Sequence, residues 1–336
     1  HTQNIKQLQE GIDDFLVMYN IEPKSPVSFT FSDIERIRDT TIQLYLSKEE
    51  KKWEDRGGKG KMQFREYWTK KYSDLLEWFP NNIAYIALPL MVSKKEEPDY
   101  FEWFNEKIQE IQKESKALII DIRDNPGGSR DLLQYLGNYF ISPSRTTYVA
   151  NIAQLRIDTS DNRDISELIM RGLYSSTSPS FDTSQRTVIK DFNECFKPFK
   201  SYDKTKFSDY YYMLLNPNFF SKKDHYDRPI FILINENSFS AASVFAGALK
   251  GLENIVLVGV CTDGSSGLTR IYKLKRSGIQ IRFSRMLSFQ PNGKLFDGNG
   301  TEPDIVIERS INQILGKEDY QLIKVLSIIN GNNINF

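Results

Sequence analysis

Cysteine and histidine are both scarce in this 336-residue chain: Cys195 and Cys261 are the only cysteines, His1 and His225 the only histidines. Two cysteines make no disulfide framework, and neither has ligand-like spacing to a histidine, so no metal site and no cofactor is expected and the redox compartment stays open. An excess of charge of either sign is also missing, with 44 basic against 44 acidic side chains. Without a sustained basic stripe, nucleic acid is excluded as the expected partner. The charged runs at 48–56 and 94–97 mix signs and read as solvated surface. No apolar stretch approaches the ~20 residues of a membrane span, and the first residues lack the pattern of a signal peptide, as a mature exported protein would. What is present is core material. Apolar residues make up 40% of the chain and aromatics 13%, enough for one large or two ordinary globular domains.

Apolar residues at Ile5, Leu8, Ile12, Phe15 and Leu16 form a helical stripe that ends near Pro23. Ser32-Asp-Ile-Glu35 has the form of a capping box, Thr40 to Leu46 has strand composition, and Gly57-Gly-Lys-Gly60 reads as a turn or loop. Residues 1–80 are therefore expected to form a small mixed appendage, and residues 81–336 an α/β core. In that core, 82–88 alternates as a strand, and Phe101, Phe104, Ile108 and Ile111 share one helical face. The apolar run Ala117-Leu-Ile-Ile120 then completes a β-α-β unit, whose right-handed crossover makes its strands parallel neighbours. From about 144 to 227 the rhythm breaks without a long periodic element, which predicts an insertion folded over the sheet's edge. Strand 230–234, helix 241–250, strand 255–258, β-rich pieces near 269–275 and 279–285, and a helix from about Lys317 to Ile329 follow.

Two junctions carry chemistry. The run Pro229 to Ile234 breaks at Asn237-Ser-Phe-Ser240 and becomes the helical Ala241-Ala-Ser-Val-Phe-Ala-Gly-Ala-Leu249. A serine in the first turn of such a helix has its hydroxyl beside N–H groups that lack intrahelical partners and are able to hold an oxyanion. Taken alone, it is the signature of an ordinary N-cap serine. The second junction, Asp121-Ile-Arg-Asp-Asn-Pro-Gly127-Gly128-Ser129, places paired glycines between a strand and a helix with Leu132, Leu133, Leu136 and Tyr139 on its inner face. Such glycines let backbone N–H groups approach a ligand closely, and taken alone they are a βα turn that needs positive φ. Neither Walker spacing nor GxGxxG is present, so this is not a phosphate loop.

In their order along the chain, Asn82-Ile-Ala-Tyr-Ile, Ala117 to Gly128, Ser238 to Leu249, Val258-Gly-Val-Cys-Thr262 and Gly300-Thr-Glu-Pro-Asp304 resemble the tail-specific, or C-terminal processing, serine peptidases. The resemblance covers roughly residues 82–307. It implies a ClpP/crotonase-like core of repeated ββα units, cleavage of extended polypeptide, and by family habit an exported bacterial protein. It also places the nucleophile on Ser240 and the oxyanion hole on the N–H groups of Ala241 and of Gly127 or Gly128.

The family's usual activating lysine falls in a stretch that here reads Thr262-Asp-Gly-Ser265-Ser-Gly267, without lysine. In this the chain is closer to the tricorn-core and retinoid-binding-protein branch, where a histidine is the base and an acidic residue supports it; that residue aligns with Asp297. The histidine is not identified. His225 lies among charges and reads as a solvated loop residue, and His1-Thr2 resembles the His-Thr that ends the family's helical domain or an expression remnant. Neither His225 nor any lysine amine is expected within hydrogen-bond reach of the Ser240 hydroxyl. Three readings follow. One is a serine endopeptidase; another is a catalytically incomplete module that binds peptides or apolar ligands. The third, a crotonase-type acyl-CoA enzyme, is opposed by the Ser-Ala-Ala-Ser junction.

Overall fold

A computed structural model describes residues 27–31, 40–44, 72–141, 147–157, 162–200, 202–216, 225–274 and 276–331. The chain divides into two units, residues 1–70 with 309–320, and residues 71–308 with 321–336. In the first, β1 (Val27–Phe31) pairs antiparallel with β2 (Thr40–Leu44), in register from Val27 opposite Leu44 to Phe31 opposite Thr40. The expected helix at 4–20, the capping box at 32–35 and the glycine loop at 57–60 lie outside the described residues.

The second unit begins with the hairpin β3 (Leu76–Phe79) and β4 (Ile83–Ala87), turned by Asn81 and Asn82 at positive φ. Helix α1 (Pro98–Glu114) starts with proline, carries Asp99 in its first turn and Lys113 in its last, and buries Tyr100, Phe101, Phe104, Ile108 and Ile111. Those charges suit the helix dipole, and the apolar spacing makes one continuous inner stripe. The chain then enters β5 (Ala117–Asp121), whose five residues are all buried, and α2 (Asp131–Phe140) follows.

After an intervening layer come β9 (Ile230–Ile234), α5 (Ala241–Leu249) and β10 (Ile255–Gly259). The central sheet has the order β14-β10-β9-β5-β4-β3, with β14 at Ile305–Val306. All its pairings are parallel except β3 with β4. Strands buried on both faces read as unbroken Ile/Leu/Val runs, which is why the sequence displays β5 and β9 so plainly. Every residue of α5 is buried. Its Gly247 is required by packing, since a Cβ there would lie 2.5 Å from the Phe296 ring.

Within 144–227 the described residues depart from expectation, because they form regular elements. They supply β6 (Tyr148–Leu155), α3 (Asn162–Met170), β7 (Tyr174–Ser175), α4 (Thr183–Cys195) and β8 (Tyr211–Leu215). With β13 (Met286–Phe289) these strands form a second sheet, in the order β13-β6-β8-β7. Its own core gathers Val149, Ile152, Phe181, Ile189, Tyr212 and Phe289. Asn151 and Gln154 are buried within β6, so polar letters interrupt what would otherwise be a legible strand. Between the sheets, Tyr148 donates from its hydroxyl to the Ala248 carbonyl of α5 at 2.8 Å. The hairpin β11 (Thr269–Lys273) and β12 (Gln280–Ser284) stands as a separate two-stranded ribbon, and α6 (Tyr320–Ile329) closes the described chain. Gln321 at the start of α6 accepts from Arg123 at 3.1 Å and donates to the Ile307 carbonyl at 2.7 Å.

Candidate active site

Both junctions lie at the carboxyl ends of adjacent strands, β5 and β9, and the residues between strand and helix lock them together. Ser238 donates to the Ile122 carbonyl at 2.9 Å, while its Oγ accepts from the Asn235 N–H at 3.0 Å. Asp124 accepts from the side-chain amides of Asn235 at 3.1 Å and Asn237 at 2.7 Å. Asn125, fully buried, donates to the Leu88 carbonyl at 2.6 Å, and its side-chain oxygen accepts from the Gly127 N–H at 2.8 Å. The Phe239 N–H reaches the Asn125 carbonyl at 2.9 Å.

This scaffold holds strained backbone. Ser240 sits at the N-cap of α5 with φ 53° and ψ −117° and makes no side-chain capping bond. A non-glycine residue at such φ is uncommon and is held only where its surroundings fix it. Gly127 and Gly128 have φ of 89° and 133°. A Cβ on Gly127 would lie 2.6 Å from the Ser240 Cβ and 2.9 Å from the Ala241 nitrogen. A Cβ on Gly128 would lie 2.1 Å from the Met91 carbonyl oxygen, where the chain forms a parallel bridge. Only glycine allows these approaches. The Gly127 N–H is committed to Asn125. Among the described residues the N–H groups of Gly128 and Ala241 have no hydrogen-bond acceptor.

The loop in which the resemblance expects lysine passes beside this turn: the Asp263 N–H donates to the Ser238 carbonyl at 3.3 Å. Ser243, 0% exposed, shares a 2.7 Å hydrogen bond with Thr262, whose Oγ1 accepts from the Thr301 N–H at 2.8 Å. The Ser243 hydroxyl is thus structural. Asp297 accepts from the Ser266 N–H at 3.2 Å. Burial lifts the Asp297 carboxyl above the ordinary aspartate range, against the Ser266 and Gly267 N–H groups that favour its ionised form. Its Oδ2 is buried with no hydrogen-bond partner among the described residues. Asp297 makes no hydrogen bond to Ser240; Asp297 and Ser238 are each tied to the 262–267 loop.

Sequence reasoning missed the cationic side of this loop. Arg171 donates to the Ser266 carbonyl at 3.2 Å, and Arg130 donates to Asn151 at 2.8 Å and the Arg171 carbonyl at 3.4 Å. Burial, with the Arg171 charge second, pushes Arg130 down to about 9. The available signal was Arg130 two residues after the glycine pair. Asn125 was visible too, as an Asn two residues before a glycine, a spacing that favours an Asx turn.

His225 requires a correction. It is not a solvated loop residue: it is 6% exposed, and neither ring nitrogen has a hydrogen-bond partner among the described residues. Its carbonyl accepts from Gln112 near the end of α1 at 3.0 Å, which fixes it at the amino end of the sheet. The rise of five-residue β9, about 13 Å, separates that end from Ser240. The Ser240 hydroxyl has no hydrogen-bond partner among the described residues, so no described imidazole or lysine amine reaches it. His1 lies outside them.

A serine on a strained strand-to-helix turn, at the carboxyl edge of a parallel sheet and against a glycine turn, has the form of a serine-hydrolase nucleophile elbow. The chain belongs to peptidase family S41, whose profile matches residues 82–307. It is 33% identical over 85 residues to the carboxy-terminal-processing protease of Bartonella bacilliformis, covering 25% of this chain and 19% of that protein. It is 23% identical over 211 residues to a probable CtpA-like serine protease of Staphylococcus aureus strain bovine RF122, covering 62% and 31%. The chain therefore spans between about a fifth and a third of the length of these curated relatives. Among solved structures, mature CPAF complexed with lactacystin has a similar fold, with TM-score 0.55 and 16% identity over 92% of this chain and 69% of that one.

Proposed function

We propose that this chain is a serine peptidase for extended polypeptide, with Ser240 as nucleophile and the N–H groups of Ala241 and Gly128 as the oxyanion hole. The single observation that carries the proposal is the strained Ser240 turn, packed so closely on Gly127 that a Cβ there would lie 2.6 Å away. Attack of the serine oxygen on a peptide carbonyl moves negative charge onto the carbonyl oxygen. Two preorganised N–H donors stabilise that charge as it develops. Of the two glycines, Gly128 is preferred because Asn125 already occupies the Gly127 N–H. In this reading Asp297 orients a histidine base, as in the tricorn-core and retinoid-binding-protein branch, and Ser265 in place of the usual lysine supports that assignment. An exported location belongs to the same proposal and rests on the family resemblance.

A catalytically incomplete module that binds peptides or apolar ligands is the second reading. It is favoured by the Ser240 hydroxyl having no general base within hydrogen-bond reach among the described residues. A fluorophosphonate probe separates the two. Covalent labelling at Ser240, abolished in Ser240→Ala, supports the peptidase; an unlabelled, folded wild-type chain supports the binding module.

A further inference from the structure

The ribbon of β11 and β12 leaves a large apolar face uncovered. Its register sets Tyr272 opposite Ile281, with Phe283 opposite Arg270. The next pair is Leu274 and Ile279, whose backbones bond at 2.8 Å. Paired residues in an antiparallel ribbon share a face, and alternate pairs share the same one. Tyr272, Leu274, Ile279, Ile281 and Phe283 therefore project together, and each is between 37% and 58% exposed. The Tyr272 and Phe283 rings stack on that face, with centroids 4.5 Å apart and planes 9° apart.

The base of this face is held in place. Arg270 donates to the buried Asp164 of α3 at 2.8 Å, and α3 itself exposes Ile169 and Met170 by 48% and 70%. The charge on the ribbon is one-sided. Residues 269–284 contain five lysines and arginines and no aspartate or glutamate, in a chain balanced overall at 44 against 44. Lys273 belongs to the opposite face and Arg276 to the turn, and both are exposed.

We propose that this ribbon docks on an anionic lipid surface. An apolar and aromatic face on a ribbon that carries cations at its turn and on its other side matches an interface that offers acyl chains beneath anionic headgroups. The face presents little for a hydrogen-bonding protein partner, since Arg270 is committed to Asp164 and the other side chains, Tyr272 apart, are hydrocarbon. Among the described residues the ribbon's sheet has two strands only, so its outer edges keep backbone groups without a strand partner. That limits the depth to the headgroup layer, where water still satisfies those groups.

Co-sedimentation of the full 336-residue chain with vesicles tests this. Binding is expected to equimolar phosphatidylglycerol–phosphatidylcholine vesicles, to exceed binding to pure phosphatidylcholine, and to fall with added salt. Lys273→Gln with Arg276→Gln should weaken it about 30-fold, at roughly a factor of five per cation. Ile279→Ser with Ile281→Ser should weaken it as well, without altering Ser240 labelling. A Tyr272→Trp variant, which keeps the face apolar, should shift its emission to the blue on the anionic vesicles alone. Equal binding to both vesicle types, no fluorescence shift, or binding indifferent to both double variants overturns the proposal. So does a vesicle-free dimer that Phe283→Ser dissociates, which assigns the face to a second copy, or equally tight binding to polyglutamate, which assigns it to an acidic polypeptide.

Discussion

Gly127 shows how little freedom the site allows a single residue. Its φ of 89° suits glycine, and an added methyl would meet the Ser240 Cβ, the Phe239 carbonyl and the Ala241 nitrogen within 3 Å. Gly127→Ala is expected to cost about 1–3 kcal/mol from the backbone conformation alone, with further loss from displacement of the serine turn. Urea unfolding checks the first part, and Ser240 labelling per folded molecule checks the second. Asp297 gives a pH-dependent case. Its carboxyl is raised in the folded chain, chiefly by burial, so the folded state holds a proton there that the unfolded state has already lost. Stability from this group is complete below the unfolded value near 3.8 and is lost as pH rises through the folded value. Asp297→Asn should therefore melt above wild type at pH 7, with the gap closing toward about pH 3.5; a gap that widens on acidification contradicts the assignment. The two strand-to-helix junctions were legible because a change of periodicity marks them, whereas the roles of Ser240 and the glycines came from the family resemblance alone. The part of Asn125 that reaches Leu88, and the burial of His225, depend on contacts distant in sequence and leave no local mark.

Among the elements, α3 and the base of the β11–β12 ribbon are joined through one buried carboxylate. Asp164 pairs with Arg270 at 2.8 Å and with Arg285 at 3.0 Å, and Asp164 and Arg285 side chains are almost fully buried. The Arg285 contact is close but not aligned as a hydrogen bond, so charge rather than direction holds it. Removing one member of a buried pair leaves an uncompensated charge, so Asp164→Ala should cost about 3–5 kcal/mol in denaturant unfolding. The double variant Asp164→Leu with Arg285→Met should cost less than the single change; if it costs more, the pair is not electrostatically coupled in this way. The same region is where sequence pattern failed. The parallel strands and α1 were legible because each is dominated by one apolar period. The second sheet was not, because Asn151 sits fully buried in β6, accepting from Arg130 and donating to Ser288 at 3.0 Å. Polar residues satisfied inside a core look like loop residues until their partners are known.

At the scale of the whole molecule, the proposed role of Ser240 rests on membership of family S41 and on the strained turn at the carboxyl edge of the sheet. The fold brings two distant junctions together because β5 and β9 are neighbours in the sheet, although about a hundred residues separate their turns. The same topology sends His225 to the other end of β9, away from the serine. Mass-spectrometric mapping of fluorophosphonate adducts on wild type, Ser240→Ala and His225→Ala tests the central claim most directly. The account predicts an adduct on Ser240, none in Ser240→Ala, and an undiminished yield in His225→Ala. An adduct on another serine, an unlabelled folded wild type, or loss of labelling in folded His225→Ala would contradict it.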